Sequence, residues 1–295
     1  MFKFKTCAMK KILFTQIVLL ISFHLYAQQS FYQSQNLPVT KEGASIKNAW
    51  AGGVNVPQLS PIDLNNDDIL DLVIFEKNGN QINCFINHGT EGVIDYHFAP
   101  EYNAKFPLLE DWVLLRDFNC DNKMDIFTSF NAGIKVYKNT STNNDLSFEP
   151  AQMIYTDRGF GPTDLYVSSV DIPHIGDIDY DGDLDILTFS AIGSHVEWHK
   201  NTSMDLFDSC DSLNYILEQN CWGNFTENFS DNSVTLNSCE EEKNANKMKS
   251  GAHSGSTLTA LDLNGDSYFE LLLGDITFNN LVMLENSAPA ENSIM

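Results

Sequence analysis

Basic residues are scarce in this sequence. It holds 17 Lys and Arg residues against 40 Asp and Glu residues, which gives a formal net charge of −23 at pH 7. Such a surface repels phosphate backbones, so the composition argues against nucleic acid as a partner. Long apolar runs are also scarce, since the one such stretch is Ile12–Leu25 near the N-terminus. We therefore predict no transmembrane segment in the rest of the chain.

The N-terminal apolar stretch has the features of a signal peptide. Lys10-Lys11 precedes it, and Leu25-Tyr26-Ala27 offers a cleavage site. The stretch is interrupted by Gln16 and is too short to span a bilayer comfortably, so a retained anchor is the less favoured alternative. Residues 1–27 are therefore predicted to be removed, and no Cys follows them for lipid attachment. The remainder, residues 28–295, is predicted to be exported to the extracellular space or outer cell surface, with the periplasm as the alternative.

An acidic loop of nine residues recurs four times, at residues 63–71, 117–125, 177–185 and 262–270. Oxygen-bearing side chains occupy its positions 1, 3, 5 and 9, and position 7 offers a backbone carbonyl. Ca²⁺ prefers about six to eight oxygen ligands, and alternating residues of a tight loop can turn toward one point. The loops therefore predict up to four structural Ca²⁺ ions. The predicted ligands are Asp63, Asn65, Asp67, Ile69, Asp71, Asp117, Asn119, Asp121, Lys123, Asp125, Asp177, Asp179, Asp181, Asp183, Asp185, Asp262, Asn264, Asp266, Tyr268 and Glu270.

Two other interpretations of these loops are weaker. An EF-hand needs an acidic residue at position 12 and a helix on each side. Position 12 is here Ile74, Thr128, Thr188 or Leu273, and the residues after each loop are branched and aromatic, as in buried strands. Simple turns are the second alternative, but turns do not require an acid at position 9. Among the four loops, the third carries most carboxylates and is predicted to bind Ca²⁺ most tightly.

More than the loop recurs in each repeat. The loops begin at residues 63, 117, 177 and 262, so their spacings are 54, 60 and 85 residues. After the buried strand comes a polar turn and a second strand that ends in Asn87, Asn139, Asn201 or Asn286. An edge element follows at residues 97–100 and again at 147–150. The order strand, loop, strand, turn, strand, edge strand predicts one four-stranded sheet per repeat, as in a propeller blade.

The last interval is too long for this repeat. Its excess lies at about residues 203–250 and contains Cys210, Cys221 and Cys239. An insertion that carries a disulfide is predicted there, with a divergent blade as the alternative. The pairing is either Cys221–Cys239 or Cys210–Cys221. Cys84 and Cys120 are expected to be small apolar fillers or free thiols.

The four loops, together with Phe160-Gly161-Pro162, resemble the FG-GAP/VCBS repeats of integrin-alpha-like propellers. The chain is also similar to secreted surface proteins of Bacteroidetes-type bacteria. The resemblance implies an all-β fold, a β-propeller of four-stranded blades that is usually seven-bladed, with Ca²⁺ in the loops. With four repeats visible, an incomplete seven-bladed ring is favoured over a closed four-bladed one.

The predicted function is that of a non-catalytic, calcium-stabilised binding or adhesion module, whose ligand is a surface protein or a glycan. The insertion at 203–250 is the predicted contributor to binding. The alternative is the propeller of a secreted polysaccharide-degrading enzyme, a lyase or hydrolase. No catalytic constellation supports that alternative: His253-Ser254 lies in a Gly/Ser-rich loop, and His195 and His199 are expected to be satisfied surface histidines. Trp112, Trp198 and Trp222 are expected to fill the core rather than to stack on sugars.

Overall fold

The computed structural model of the chain describes residues 37–89, 92–142, 145–191, 194–228, 230–239 and 257–295. These residues fall into two units, divided after Trp50. In the first unit, β1 (Thr40–Lys41) and β2 (Ala44–Ser45) form a short antiparallel hairpin. The predicted signal peptide lies outside the described residues.

The second unit is an all-β fold with four blades arranged as a β-propeller, which confirms the predicted fold class. The first two blades are four-stranded antiparallel sheets whose strands follow chain order. Blade 1 contains β3 (Pro57–Ile62), β4 (Asp71–Glu76), β5 (Gln81–Asn87) and β6 (Tyr96–Phe98). Blade 2 contains β7 (Val113–Arg116), β8 (Asp125–Phe130), β9 (Gly133–Asn139) and β10 (Phe148–Met153). Each acidic loop joins the first two strands of its blade, as the repeat order predicts. A 3-10 helix at Pro100–Lys105 follows β6.

Blade 3 is larger than the repeat predicts, because a hairpin is added to its outer edge. The hairpin strands are β11 (Tyr155–Asp157) and β12 (Pro162–Asp164). The blade itself contains β13 (His174–Gly176), β14 (Asp185–Phe189), β15 (Val196–Asn201) and β16 (Tyr215–Trp222). β11 pairs with β16 in parallel, which makes a six-stranded sheet. Phe160-Gly161-Pro162, which supported the family resemblance, therefore lies in the turn of an added hairpin and at its second strand.

The segment at 203–250 is not wholly an insertion. It begins with a five-residue helix, α1 (Ser203–Phe207), and then supplies β16, the fourth strand of blade 3. A small hairpin of β17 (Phe225–Glu227) and β18 (Val234–Leu236) follows. The part that stands outside the repeat thus begins after Trp222, and residues 240–256 lie outside the described part of the chain.

Blade 4 contains three strands among the described residues: β19 (Thr257–Leu261), β20 (Glu270–Gly274) and β21 (Leu281–Leu284). After β21 the chain turns toward blade 3. Ala290, in the 3-10 helix Ala290–Asn292, accepts a hydrogen bond on its backbone carbonyl from Trp222 Nε1 at 3.2 Å. The Met295 N–H donates to the backbone carbonyl of Gly223 at 3.1 Å. How many blades complete the ring stays a prediction.

The core lies between the blades, and this explains why the strand after each loop is apolar on both faces. In β8, Ile126 belongs to the cluster that joins blades 1 and 2, with Phe75 and Val113. The next residue, Phe127, belongs to the cluster that joins blades 2 and 3. A strand packed on both sides needs a continuous apolar run rather than an alternating one. A third cluster joins blades 3 and 4 and holds Trp198.

The three Trp residues of the propeller core, Trp112, Trp198 and Trp222, are fully buried, which confirms their predicted role as core fillers. Among the described residues, no helix is long and apolar enough to cross a membrane.

Candidate metal centre

The four acidic loops share one backbone conformation. Positions 4 and 6 have positive φ in every loop, a conformation that Gly, Asn and Asp tolerate best. The residues are Asn66 and Asp68, Cys120 and Asn122, Tyr180 and Gly182, and Gly265 and Ser267, with φ between 57° and 104°. Two left-handed residues separated by one position turn the chain tightly. The side chains at positions 1, 3 and 5 consequently come together.

The carboxylate at position 1 organises the turn. In the first loop, Asp63 Oδ1 accepts the N–H of Asp67 at 3.1 Å and Oδ2 accepts the N–H of Asp68 at 2.9 Å. Asp117, Asp177 and Asp262 make the same pair of bonds in the other loops. The carboxylate at position 5 accepts the N–H of position 7 in all four loops, at 2.8–3.2 Å. Because donor and acceptor lie in the same loop in every case, the loop residues themselves fix the loop conformation.

The acid at position 9 ties the loop to the rest of its blade. Asp125 is fully buried, and its two oxygens accept the N–H of Phe118 at 3.0 Å and of Asn139 at 2.7 Å. Asp71 and Asp185 make the equivalent bonds. In the fourth loop Glu270 accepts the N–H of Leu263 at 2.8 Å. In the first three blades the predicted position 9 ligand therefore also ties the start of the second strand to the end of the third.

Burial disfavours the ionised form of three of these carboxylates, those of Asp71, Asp125 and Asp185. It raises the pKa of Asp71, raises that of Asp125 to about 6 and raises that of Asp185 to about 8. Neighbouring loop carboxylates add to the effect. A bound cation would favour the ionised form.

The third loop contains the densest carboxylate cluster in the described part of the chain. Oxygens of Asp177, Asp179 and Asp181 lie within 4.8 Å of one another. Asp183, for which we predicted a backbone carbonyl ligand, is almost fully buried. Its Oδ2 accepts the N–H of Met204, but its Oδ1 and the Oδ1 of Asp179 are buried without a hydrogen-bond donor. Buried carboxylate oxygens without donors fit a cation-binding loop, because leaving them unpaired is costly.

Lys200 was not identified from the sequence as a residue that contacts the third loop. Lys200, the penultimate residue of β15, makes ion pairs with Asp179, with Asp181 at 3.1 Å and with Asp205 of α1 at 3.2 Å. Its side chain is 17 % exposed. Lys precedes the strand-ending Asn in blades 2 and 3, as Lys138-Asn139 and Lys200-Asn201. This repeated pair is the sequence feature from which a Lys beside the loop could have been predicted.

Neighbouring loops also contact other parts of the propeller through their position 4 residues. Tyr180 of the third loop stacks on Phe269 of the fourth, with ring centroids 5.2 Å apart. A cavity of about 90 Å³ lies beside this pair, with Trp222 and Glu291 in its lining.

Cys120 of the second loop forms a disulfide with Cys210, so the expectation of a filler or a free thiol is wrong for Cys120. Cys221–Cys239 is the second disulfide, one of the two predicted alternatives. Cys84 is buried and free, as expected. The Cys120–Cys210 bond was not predicted because it joins cysteines of two different blades that are 90 residues apart in sequence.

The predicted histidine positions differ from the structure. His195 and His199 are buried rather than on the surface. His199 Nδ1 lies 2.9 Å from Thr156 Oγ1, and its Nε2 lies 3.3 Å from Glu197. His199 therefore links β15 to the added hairpin. His253 lies outside the described residues.

Comparisons with family models and with curated proteins found no match for this sequence.

Proposed function

We propose that this protein is an exported β-propeller of the FG-GAP/VCBS type, in which Ca²⁺ stabilises the blades and the whole acts as a non-catalytic binding module. The observation that carries the proposal is the pair of donor-free, buried carboxylate oxygens on Asp179 and Asp183 in the third loop. Ca²⁺ is a hard cation that takes carboxylate, amide and carbonyl oxygens, which are the groups at positions 1, 3, 5, 7 and 9.

The ion would compensate the negative charge of the loop carboxylates and would take no part in a reaction. In the third loop, Asp177, Asp179, Asp181 and Asp183 would hold it, with Asp185 as the buried acid behind them. Fifteen of the 40 acids lie in the four loops, and four Ca²⁺ ions would change the formal charge from −23 to −15. Because such ions bind the folded state only, their binding energy adds to its stability.

Export and surface location rest on the predicted signal peptide and fit the two disulfides, which persist in oxidising compartments. The ligand class that we propose is a glycan or another surface protein.

Thermal unfolding tests the calcium proposal directly. The melting temperature should be higher with Ca²⁺ than with excess chelator, because an ion present at about 100 times its Kd adds about 2.7 kcal/mol per site. Asp181→Asn should reduce the rise, and the exposed Asp164→Asn, outside the loops, should leave it unchanged. Equal melting temperatures in Ca²⁺ and chelator would overturn the proposal.

A separate assay addresses the function as a binding module. Incubation with acidic plant polysaccharides should release no unsaturated or reducing products, while a glycan array should report binding. Product release by the purified protein would replace the binding module with the enzyme alternative.

A further inference from the structure

The ammonium of Lys200 lies among carboxylates that we assign to the third cation site. It contacts Asp179 and lies 3.1 Å from Asp181 Oδ2, and these are positions 3 and 5 of the loop. The third partner, Asp205 at 3.2 Å, comes from helix α1. One positive charge thus serves three carboxylates from two segments of blade 3.

The contact is built into the fold rather than made by a free surface side chain. Lys200 precedes Asn201, whose backbone N–H is fixed at 2.8 Å from Asp185 at the end of the same loop. The Lys200 side chain is 17 % exposed and that of Asp179 only 5 %. Desolvation lowers the pKa of Lys200, but its hydrogen bonds to Asp179 and Asp181 outweigh this and hold the pKa above the usual value.

Among the described residues, no other blade holds a cation this close to the carboxylates of its loop. The residue that precedes the strand-ending Asn is Ile86 in blade 1, Lys138 in blade 2 and Glu285 in blade 4. Lys138 Nζ lies 3.9 Å from Asp121 Oδ2, beyond hydrogen-bond distance, and its side chain is 43 % exposed. The third loop, which has the most carboxylates, is thus also the loop with the closest internal cation.

The ion pairs of Lys200 have opposite effects on the stability of the metal-free loop and on its affinity for a divalent ion. Ion pairs with Lys200 lower the free energy of the metal-free loop, because they compensate charges that are partly desolvated. The same ion pairs occupy Asp179 Oδ2 and Asp181 Oδ2, so these two oxygens coordinate a divalent ion only after Lys200 has moved away, while Asp179 Oδ1 stays available. Carboxylate number alone therefore overestimates the affinity of this loop.

We propose that Lys200 is an internal counter-cation of the third loop: it holds the loop folded without metal and competes with Ca²⁺ for Asp179 and Asp181. The proposal rests on the proposed function, since competition requires that the loop bind Ca²⁺. It makes Lys200 the residue that sets the affinity of this site and makes the third loop the least dependent on metal for its folding.

The test compares Lys200→Met with Lys138→Met in the full chain. Met keeps the length of the side chain and removes its charge. In chelator, Lys200→Met should lower the melting temperature, whereas Lys138→Met should leave it near that of the wild type. In calorimetric Ca²⁺ titrations, Lys200→Met should tighten one site by about tenfold, as expected for the loss of a competing charge-assisted hydrogen bond. Lys200→Arg, which keeps the charge, should retain the wild-type affinity.

Two further variants keep the result interpretable. Adding Asp181→Asn to Lys200→Met should abolish the gain in affinity, which assigns the gain to the third loop. If Lys200→Met is unfolded in chelator, saturating Ca²⁺ should restore a wild-type melting temperature, and failure to recover would overturn the proposal.

The two proposals fail in different ways. Calcium binding by the wild type with an unchanged affinity in Lys200→Met would overturn the role of Lys200 and leave the proposed function standing. Absence of Ca²⁺ binding by the wild type and all variants would overturn the proposed function, and the competition with it.

Discussion

Asp185 accepts the backbone N–H of Asn201 at 2.8 Å, and through this bond the end of the acidic loop is fixed to the end of β15, the third strand of its blade. The Asn201 side chain continues the link. Its Oδ1 accepts the N–H of Ser203 and of Asn214, and its Nδ2 donates to the carbonyl of Ser212. The pairs Asp71–Asn87 and Asp125–Asn139 repeat the first bond at 2.7 Å. The acid at position 9 and the strand-ending Asn are therefore one structural unit.

This unit predicts the cost of removing the Asn side chain. Asn139→Ala deletes the bonds from Nδ2 to Met124 and from Ser141 N–H to Oδ1, and leaves buried backbone groups unpaired. We expect a loss of about 2–3 kcal/mol in the free energy of unfolding, measured by urea denaturation. The exposed Asn78→Ala serves as the matched control and should change it by less than about 0.5 kcal/mol. Equal effects of the two substitutions would contradict the role of Asn139.

The raised pKa of Asp185 predicts a pH dependence for the metal-free protein. Since burial raises its pKa to about 8 in the folded state, the folded state holds a proton that the unfolded state has lost, and stability falls as pH rises toward 8. Burial lowers the pKa of His174 to about 4, which reduces stability only below the unfolded pKa of about 6.5. Between pH 7 and 8 the Asp185 effect should thus be isolated. The free energy of unfolding should fall there by up to about 1.4 kcal/mol. Above pH 8 the Asp185 contribution levels off, and the buried Cys84 thiol, whose pKa burial raises, adds a further decline as the thiol of the unfolded chain ionises.

Urea denaturation in metal-free buffers at pH 7, 8 and 9 measures this dependence. Saturating Ca²⁺ is the control and should remove the decline, because the cation stabilises ionised carboxylates. Unchanged stability from pH 7 to 8 without metal would show that Asp185 is already ionised in the folded protein.

The two disulfides predict unequal losses of stability. Cys120–Cys210 closes a sequence separation of 90 residues and Cys221–Cys239 one of 18. Because the entropy that a cross-link removes from the unfolded chain grows with loop length, we expect Cys120→Ala/Cys210→Ala to cost about 4.5 kcal/mol and Cys221→Ala/Cys239→Ala about 3 kcal/mol. Urea denaturation compares the variants, and peptide mapping without reductant checks the pairing. A Cys120 thiol that alkylates in the native protein would refute the first bond.

The stack of Tyr180 on Phe269 predicts energetic coupling between the third and fourth loops. In a double-mutant cycle with Tyr180→Ala and Phe269→Ala, the coupling should be about 0.5–1.5 kcal/mol. Its size should lie near the lower end, since Tyr180 is 56 % exposed. A cycle of Phe160→Ala with Phe269→Ala is the control and should be additive, because Phe160 is almost fully exposed. Additivity in both cycles would mean that the stack contributes no coupling.

Local patterns predicted most of the fold. The loops at 63–71 and 117–125 and the strands on either side of them lie where the repeat places them, because each depends on residues close in sequence. The elements that were predicted wrongly are those whose strands pair with segments far away in sequence. The residues of β16 were assigned to an insertion because α1 and an irregular stretch separate them from β15, the strand with which they pair. The added hairpin was not predicted because it joins β16 by parallel pairing between segments far apart in sequence.

By itself, the sequence determined the loop chemistry, which consists of alternating oxygen-bearing side chains and an apolar strand after each loop, because both depend on residues close in sequence. Only the tertiary structure decided which partners reach those loops. Cys120 meets Cys210, Lys200 reaches Asp179, and the position 9 acids become buried between strands. Each of these depends on how the blades pack, since packing brings together groups that no local spacing relates and determines how much water remains around their charges.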